Sequence, residues 1–410
     1  MKRIHGICLL VLLVLASCAL PGAAWQIEIV DQFEEKAIRW GRWVVLVLDH
    51  TSRPHVVYHI RRIKVGPDMP MIISPPVSHY TFYNGRAWQI EYPSQHRRTA
   101  PLYGSRPSLV LDPEGVPVIA AGGDAVYYGR YVESSWHEVT INRDKGYYGY
   151  YFASLALAPD GQPHIAYLEN ISGTLKYASL EQSWAPETID AGFETANPGV
   201  SGRGGSVSLA LDRADRPHIG YCVEQSYYRC TLKYAYREGA TWSIVEVDDN
   251  VYAARIFLVL DADDRPHLCY HAQDGLRYAY TDEAGWQIES FARVLGTLGG
   301  HAIALDPWGR PHVSYYDNGD LMYAWRDENG IWHKEAIDAV GDIGRLNALA
   351  VDAAGRVHVA YSDETNQSLK YARRIPGIQL LPAVVLAGVG LFLVTGGLVA
   401  RRLLRRARKD

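Results

Sequence analysis

Histidines recur along this chain in a way that raises metal chemistry first. Pro54-His55, Pro163-His164, Pro217-His218, Pro266-His267 and Pro311-His312 form a series of Pro-His pairs, and imidazole is the commonest metal ligand. Each pair lies a few residues after an LxLD-like segment ending at Asp49, Asp112, Ala158, Asp212, Asp261, Asp306 or Asp352. Val118 replaces the histidine in the second copy, and Val357 replaces the proline before His358 in the last. A residue present in nearly every copy of a repeat serves the repeat, so these histidines are expected to bond the first-strand aspartate and the tryptophan strand, and no metal site is expected. The turns DRADRP, DADDRP and DPWGRP place Asp and Gly where tight turns need them, without the alternating oxygen ligands of a calcium loop. Glu169, Asp317 and Asp363 have the types of a general acid and base, but their recurrence at one repeat position reads as turn stabilisation. No catalytic residue and no cofactor is expected.

Residues that do not repeat are better candidates for function. Trp40, Arg42, Tyr103, Arg106, Tyr147, Tyr148, Tyr150, Tyr151, Tyr252 and Arg255 precede the LxLD segments, and Tyr227 and Tyr228 stand in another connection. Tyr, Trp and Arg dominate recognition surfaces. The expectation is a binding face for a protein or a carbohydrate.

The elements that must position them follow from the repeat. Ser206 to Asp248 reads as four short strands, SVSLAL, PHIGY, TLKYAY and WSIVEV, rich in β-branched and aromatic residues and separated by turns. Tyr80, Tyr128, Tyr177, Tyr234, Tyr278, Tyr323 and Tyr371 mark the third strands, and Trp25, Trp88, Trp136, Trp184, Trp242, Trp286 and Trp332 the fourth. Four strands per unit at a period of roughly 45 to 60 residues predict an all-β, seven-bladed β-propeller over residues 25–372. The last copy lacks a tryptophan strand and Trp25 to Asp31 is such a strand without an owner, so the two are expected to close the ring. In up-and-down blades the 1-2 and 3-4 turns share one face, while the variable 2-3 and 4-1 connections, which hold the candidates above, share the other.

Both ends carry targeting signals. Lys2, Arg3 and the apolar run to Ala16 predict a signal peptide over 1–24, with Leu15 to Cys18 as a competing lipobox. Residues 373–377 read as a linker, 378–400 as an uncharged transmembrane helix, and 401–410 as a basic cytoplasmic tail, with sortase-type trimming as an alternative. The body is then outside the cell membrane, its termini and 1-2 turns nearest the bilayer. It carries 31 Lys and Arg against 44 Asp and Glu, a net charge near −13, which argues against nucleic acid as a partner. Cys222 and Cys230 flank one hairpin and are disulfide candidates in an oxidising compartment, and Cys269 reads as a small buried residue.

The pattern SLALDxxGxPHIAY…LKYA…W, as in Ser154 to Trp184 and Ser208 to Trp242, resembles the repeats of exported sialidase-like propeller proteins. That resemblance implies a propeller. It does not imply sialidase activity, because DENGIW, Asp327 to Trp332, has the wrong spacing for an Asp box and no arginine triad can be placed. Arg42, Arg106, Arg255 and Arg345, each just before a first strand, keep open a glycan hydrolase or lyase acting at the pore. A third reading is an envelope scaffold that makes contact through the Pro-rich His59 to His79 loop.

Overall fold

The computed structural model describes residues 24–33, 38–65, 70–72, 77–91, 107–122, 125–133, 135–142, 151–169, 173–191, 205–226, 229–294 and 300–375. Residues 27–373 form one compact unit, and the remaining described residues, 24–26 and 374–375, group with the chain ends. Among the described residues every regular element is a β-strand.

The strands build antiparallel four-strand modules in chain order. One module, for example, runs Tyr151–Leu157, Pro163–Glu169, Thr174–Ser179, Glu187–Asp190. Burial follows position within the module. Second strands such as Pro163–Glu169, Pro266–Ala272 and Val357–Asp363 are buried throughout, whereas fourth strands such as Ser135–Asn142 and Gly285–Ala292 are largely exposed or half-buried. A strand covered on both faces reads as a continuous apolar run, and an outer strand does not.

Two modules are fused. Thr241–Leu260 is a single 20-residue strand. Its first part pairs with Arg229–Glu238 and its last part with Pro266–Ala272. The fourth strand of one repeat therefore runs directly into the first strand of the next. The sequence EVDDNVYAARIFLVL contains no Gly or Pro to break it. The connection expected to carry Tyr252 and Arg255 as a loop is strand instead, with Tyr252 opposite Arg229.

The N-terminal strand completes the last module. Ala24–Gln32 lies beside Ser368–Ile375, followed in the same sheet by Val357–Asp363 and Ile343–Val351. Phe33 N donates to Gln367 O at 3.1 Å, and Gln32 Nε2 to Asn366 O at 2.8 Å. The first strands also pack in sequence. Ile343–Val351 lies against Ile38–Leu48, which lies against Ser108–Leu111, and the series continues through Tyr151–Leu157, Gly205–Leu211, Thr241–Leu260 and His301–Leu305 back to Ile343–Val351. That circuit of first strands is the arrangement of a β-propeller.

Aromatic pairs tie modules to their neighbours. The third-strand tyrosine of one module meets a tryptophan on the fourth strand of the next, or in the turn before it for Trp184, in Tyr80–Trp136, Tyr128–Trp184, Tyr177–Trp242, Tyr234–Trp286 and Tyr278–Trp332, with ring centroids 5.1 to 6.4 Å apart. Tyr371 of the last module meets Trp88 of the first at 5.3 Å. The same joint holds a core shared by both modules, including Val30, Val44, Leu46, Tyr58, Leu346 and Leu369.

The recurring Asp and His are structural, but their third partner differs from expectation. Asp212 Oδ1 accepts the backbone N–H groups of Ala214 and Arg216 at 2.9 and 2.8 Å, closing the 1-2 turn. Asp306 and Asp352 do the same in their own turns. The second oxygen receives the arginine four residues on and faces His Nε2, as in Asp306 with Arg310 Nε at 2.7 Å and His312 Nε2 at 3.3 Å. His Nδ1 then meets the third-strand tyrosine hydroxyl, as in His55–Tyr80 at 2.6 Å and His312–Tyr323 at 2.5 Å. The tryptophan strand is not in this chain of bonds. Antiparallel register explains why: His218 lies opposite Tyr236 on the third strand, two residues from Tyr234, and the fourth strand is one strand further out. Where Val118 replaces the histidine, Arg130 of the third strand reaches Asp112 instead.

Cys222 and Cys230 form a disulfide across the hairpin with Cα atoms 5.8 Å apart, and Cys269 is a buried thiol.

Candidate functional site

The face carrying the 2-3 and 4-1 connections holds a polar cluster where the last two modules meet. Asp342 lies in the connection before Ile343–Val351, and Tyr316 near the end of Pro311–Asp317. Tyr316 Oη donates to Asp342 Oδ1 at 2.9 Å, and Arg345 Nη2 donates to Asp342 Oδ2 at 3.0 Å. The Arg345 guanidinium carbon stands 5.2 Å from the centroid of the Tyr316 ring. The Arg345 and Asp342 side chains are 41% and 40% exposed, so the ion pair faces water while the ring beneath it holds its position.

The backbone around the cluster is fixed at several points. Gly300 N donates to Arg345 O at 2.8 Å, Tyr316 N to Gly300 O at 3.1 Å, and Asn347 Nδ2 to Gly300 O at 2.9 Å. A Cβ on Gly300 would stand 2.9 Å from Arg345 O and 2.8 Å from Arg255 Nη1, so only glycine admits this approach. Asp342 N donates to Thr365 Oγ1 at 2.8 Å.

Two neighbouring groups have displaced pKa values. Burial raises Glu364 to about 7, outweighing its Ser362 hydrogen bond and the charge of Arg345. Glu364 is thus a carboxyl that exchanges its proton near neutrality. Desolvation lowers Arg255 to about 10, although its surface is only partly covered. His301 is fully buried, packs edge-on against His271 at 4.9 Å, and its Nε2 stands 3.3 Å from Cys269 O.

Of the candidates read from the sequence, Tyr252, Arg255 and Arg345 have described side chains. Trp40 and Arg42 lie within the strand Ile38–Leu48, and Tyr151 opens Tyr151–Leu157, but their side chains are outside the described set, and Tyr103, Arg106, Tyr147, Tyr148, Tyr150, Tyr227 and Tyr228 are outside the described residues altogether. Tyr316, Asp342 and Glu364 were not singled out in the sequence. The available signal was Arg345, which lies not before the first strand but inside Ile343–Val351, at the irregularity between Ile343 and Asn347.

The carboxylates Glu169 and Asp363 act structurally. Glu169 accepts from Lys176 at 2.6 Å and Asn142 at 3.0 Å, and Asp363 accepts the Asn366 backbone N–H at 2.7 Å and pairs with Lys370 at 2.7 Å. Among the described residues no group of three or more His, Cys, Asp or Glu is placed to hold a metal ion.

Solved structures share this fold. An ulvan lyase, described as a new family of polysaccharide lyase and bound to a -[GlcA(1-4)Rha3S]- saccharide, superposes with TM-score 0.55 at 10% identity, over 84% of this chain and 95% of its own. A protein of unknown function from Dyadobacter fermentans gives TM-score 0.50 at 11% identity, over 87% of this chain and 99% of its own. The Aleuria aurantia lectin, a six-bladed β-propeller that recognises fucose, gives TM-score 0.44 at 11% identity, over 68% of this chain and 96% of its own. At such identities the likeness to the lyase and to the Dyadobacter fermentans protein is one of fold. No protein-family model and no curated protein matches the sequence.

Proposed function

We propose that the chain is an exported propeller of seven blades, anchored in a membrane by residues 378–400, that binds glycan on the face of its 2-3 and 4-1 connections without chemical turnover. The observation that carries this reading is Arg345 held over Tyr316 by Asp342 at that face. A cation on an aromatic ring, flanked by a carboxylate, offers a sugar both an apolar surface and paired donors and acceptors. The seven-blade count rests on the circuit of first strands and on the shared last module. Membrane anchoring rests on the sequence alone: no helix among the described residues is long and apolar enough to cross a membrane, and residues 376–410 lie outside them.

The test is a glycan array probed with the full chain in detergent micelles, comparing wild type with Arg345→Ala and Tyr316→Phe. Selective retention that both variants weaken supports the reading. Retention of no glycan would overturn it, and capture of an envelope protein instead would favour a scaffold role through the His59 to His79 segment, expected as a loop but lying mostly in the strands Pro54–Val65, Pro70–Ile72 and Val77–Tyr83.

Glu364 favours a second reading. A carboxyl with a pKa of about 7 beside an arginine is suited to proton transfer in glycan cleavage. The ulvan lyase of similar fold acts on polysaccharide. Turnover of a polyuronate or fluorogenic glycoside, abolished by Glu364→Gln, would replace binding with catalysis.

A further inference from the structure

The opposite face, formed by the 1-2 and 3-4 turns, carries a cleft of about 770 Å³ between two neighbouring modules. Its walls are the turn Asp261 to Arg265 with the Tyr280 to Asp282 segment on one side, and the turn Pro307 to Pro311 with Arg326 to Glu328 on the other. Trp308 stands on this rim and is 67% exposed, a large aromatic surface left in water. The fold does not require it. The equivalent turn position holds Thr51, Glu114, Asp160, Ala214, Asp263 and Ala354 in the other repeats.

The ring is nonetheless held in place. The Arg310 guanidinium carbon stands 4.7 Å from its centroid, and Arg310 Nε is itself bound to Asp306 at 2.7 Å. Gly355, in the next 1-2 turn with φ of +76°, also lies so close that a Cβ there would come within 2.8 Å of the indole. An exposed aromatic braced in this way loses little side-chain freedom when a ligand covers it.

The cleft also supplies polar groups at the same place. Arg265 Nη2 pairs with Asp263 Oδ2 at 3.1 Å, and these side chains are 52% and 71% exposed. Arg326 lies 5.4 Å from the Tyr280 ring centroid. The lining holds five carboxylates against three guanidinium groups. That balance disfavours an acidic or sulfated ligand and matches hydroxyl groups, which donate to carboxylates and accept from arginine.

We propose that this cleft is a sugar-binding site for a neutral hexopyranose unit of a glycan, whose apolar C–H face stacks on Trp308 while its hydroxyls bond the Arg265–Asp263 pair. The site is separate from the Tyr316–Arg345 cluster and does not depend on it.

The experiment titrates the full chain in detergent micelles with neutral tetrasaccharides of glucose, mannose and galactose, following indole fluorescence and saturation-transfer NMR. The expected result is saturable binding of at least one probe, with transfer strongest to the C–H protons of one ring face. Trp308→Ala should weaken it by about tenfold or more, with an unchanged melting temperature because the side chain is exposed, and Arg345→Ala should leave it unaltered. Uronate tetrasaccharides should bind more weakly. Saturable binding by no neutral probe, an unchanged Kd in Trp308→Ala, or stronger uronate binding would each overturn the proposal. Quenching of Trp308 by brominated lipid in nanodiscs, with no response to sugar, would identify a membrane contact and overturn it too.

Discussion

Tyr371, on the third strand of the last module, meets Trp88, on the fourth strand of the first, edge to face at 5.3 Å. Elsewhere the same contact joins consecutive repeats, so here it joins the two ends of the series. Nearby, Tyr58 of the first module donates to Asp31 of the N-terminal strand. Closure thus uses the same pair of side chains as the five joints named above, and it is testable as a joint.

Removing Trp88 should open this seam. Trp88→Ala is expected to lower stability by about 3 kcal/mol through lost burial and the cavity left behind. A double-mutant cycle with Tyr371→Leu should show a coupling of about 1 kcal/mol for the aromatic pair. Additive losses in urea unfolding would show that the rings do not interact.

His358 is expected to matter for folding and not for metal. His358→Ala leaves Asp352 and Tyr371 without the ring between them, in a site where His358 is 1% exposed. Loss of about 2 kcal/mol is expected. Elemental analysis before and after the substitution should give the same metal content, and metal lost with the histidine would reverse the structural assignment.

Acid should weaken the histidine contribution to the propeller below the ordinary histidine pKa of 6.5. Burial lowers His55, His164, His218, His267 and His358, in each case against the opposing pull of nearby carboxylates. Their neutral forms are at home in the fold, so stability is fully present above 6.5 and declines as the unfolded chain takes up protons that the folded chain refuses. Glu91, Glu138 and Glu364, all raised by burial and the last two to about 7, act in the opposite sense, losing stability as pH rises from 4.5 through their folded-state values. Three glutamates oppose the histidines, so the histidine part is read as a difference: the stability lost in His358→Ala relative to wild type is expected to shrink as pH falls from 6.5 to about 5. Below that the turn aspartates add a loss of their own. In Asp306 burial acts upward, but bonds from His312 and Arg310 outweigh it and hold the carboxyl at about 2. Calorimetry across this range, repeated on His358→Ala, checks the sign.

The disulfide closes a loop between residues eight apart. Replacing Cys222 and Cys230 with alanine is expected to cost about 2–3 kcal/mol. Chemical denaturation with and without reductant should show the same difference in the wild-type chain.

Much of the fold was legible because a repeat exposes its own rules. Asp212, His218, Tyr234 and Trp242 each recur at fixed spacing, and period-2 strands with polar turns leave few other architectures open. The strand Ala24–Gln32 was recognisable as the missing member of the last module because it carries the fourth-strand pattern. Averaging over copies also hides what is particular to one copy. Trp308 sits in DPWGRP, inside a turn that otherwise repeats, and Tyr316 and Glu364 fall at positions whose types change from repeat to repeat.

By itself, then, the chain's composition and periodicity determined the four-strand unit, the pairing partner of the N-terminal strand and the structural character of Asp and His, since these depend on local spacing and strand alternation. Tertiary structure decided that His bonds the third-strand tyrosine, that Thr241–Leu260 runs unbroken across two modules, and that Arg345, Tyr316 and Asp342 meet. Those relations join side chains from different strands or modules, whose separation in space is set by register and by the angle between sheets, and neither quantity is written in any one segment.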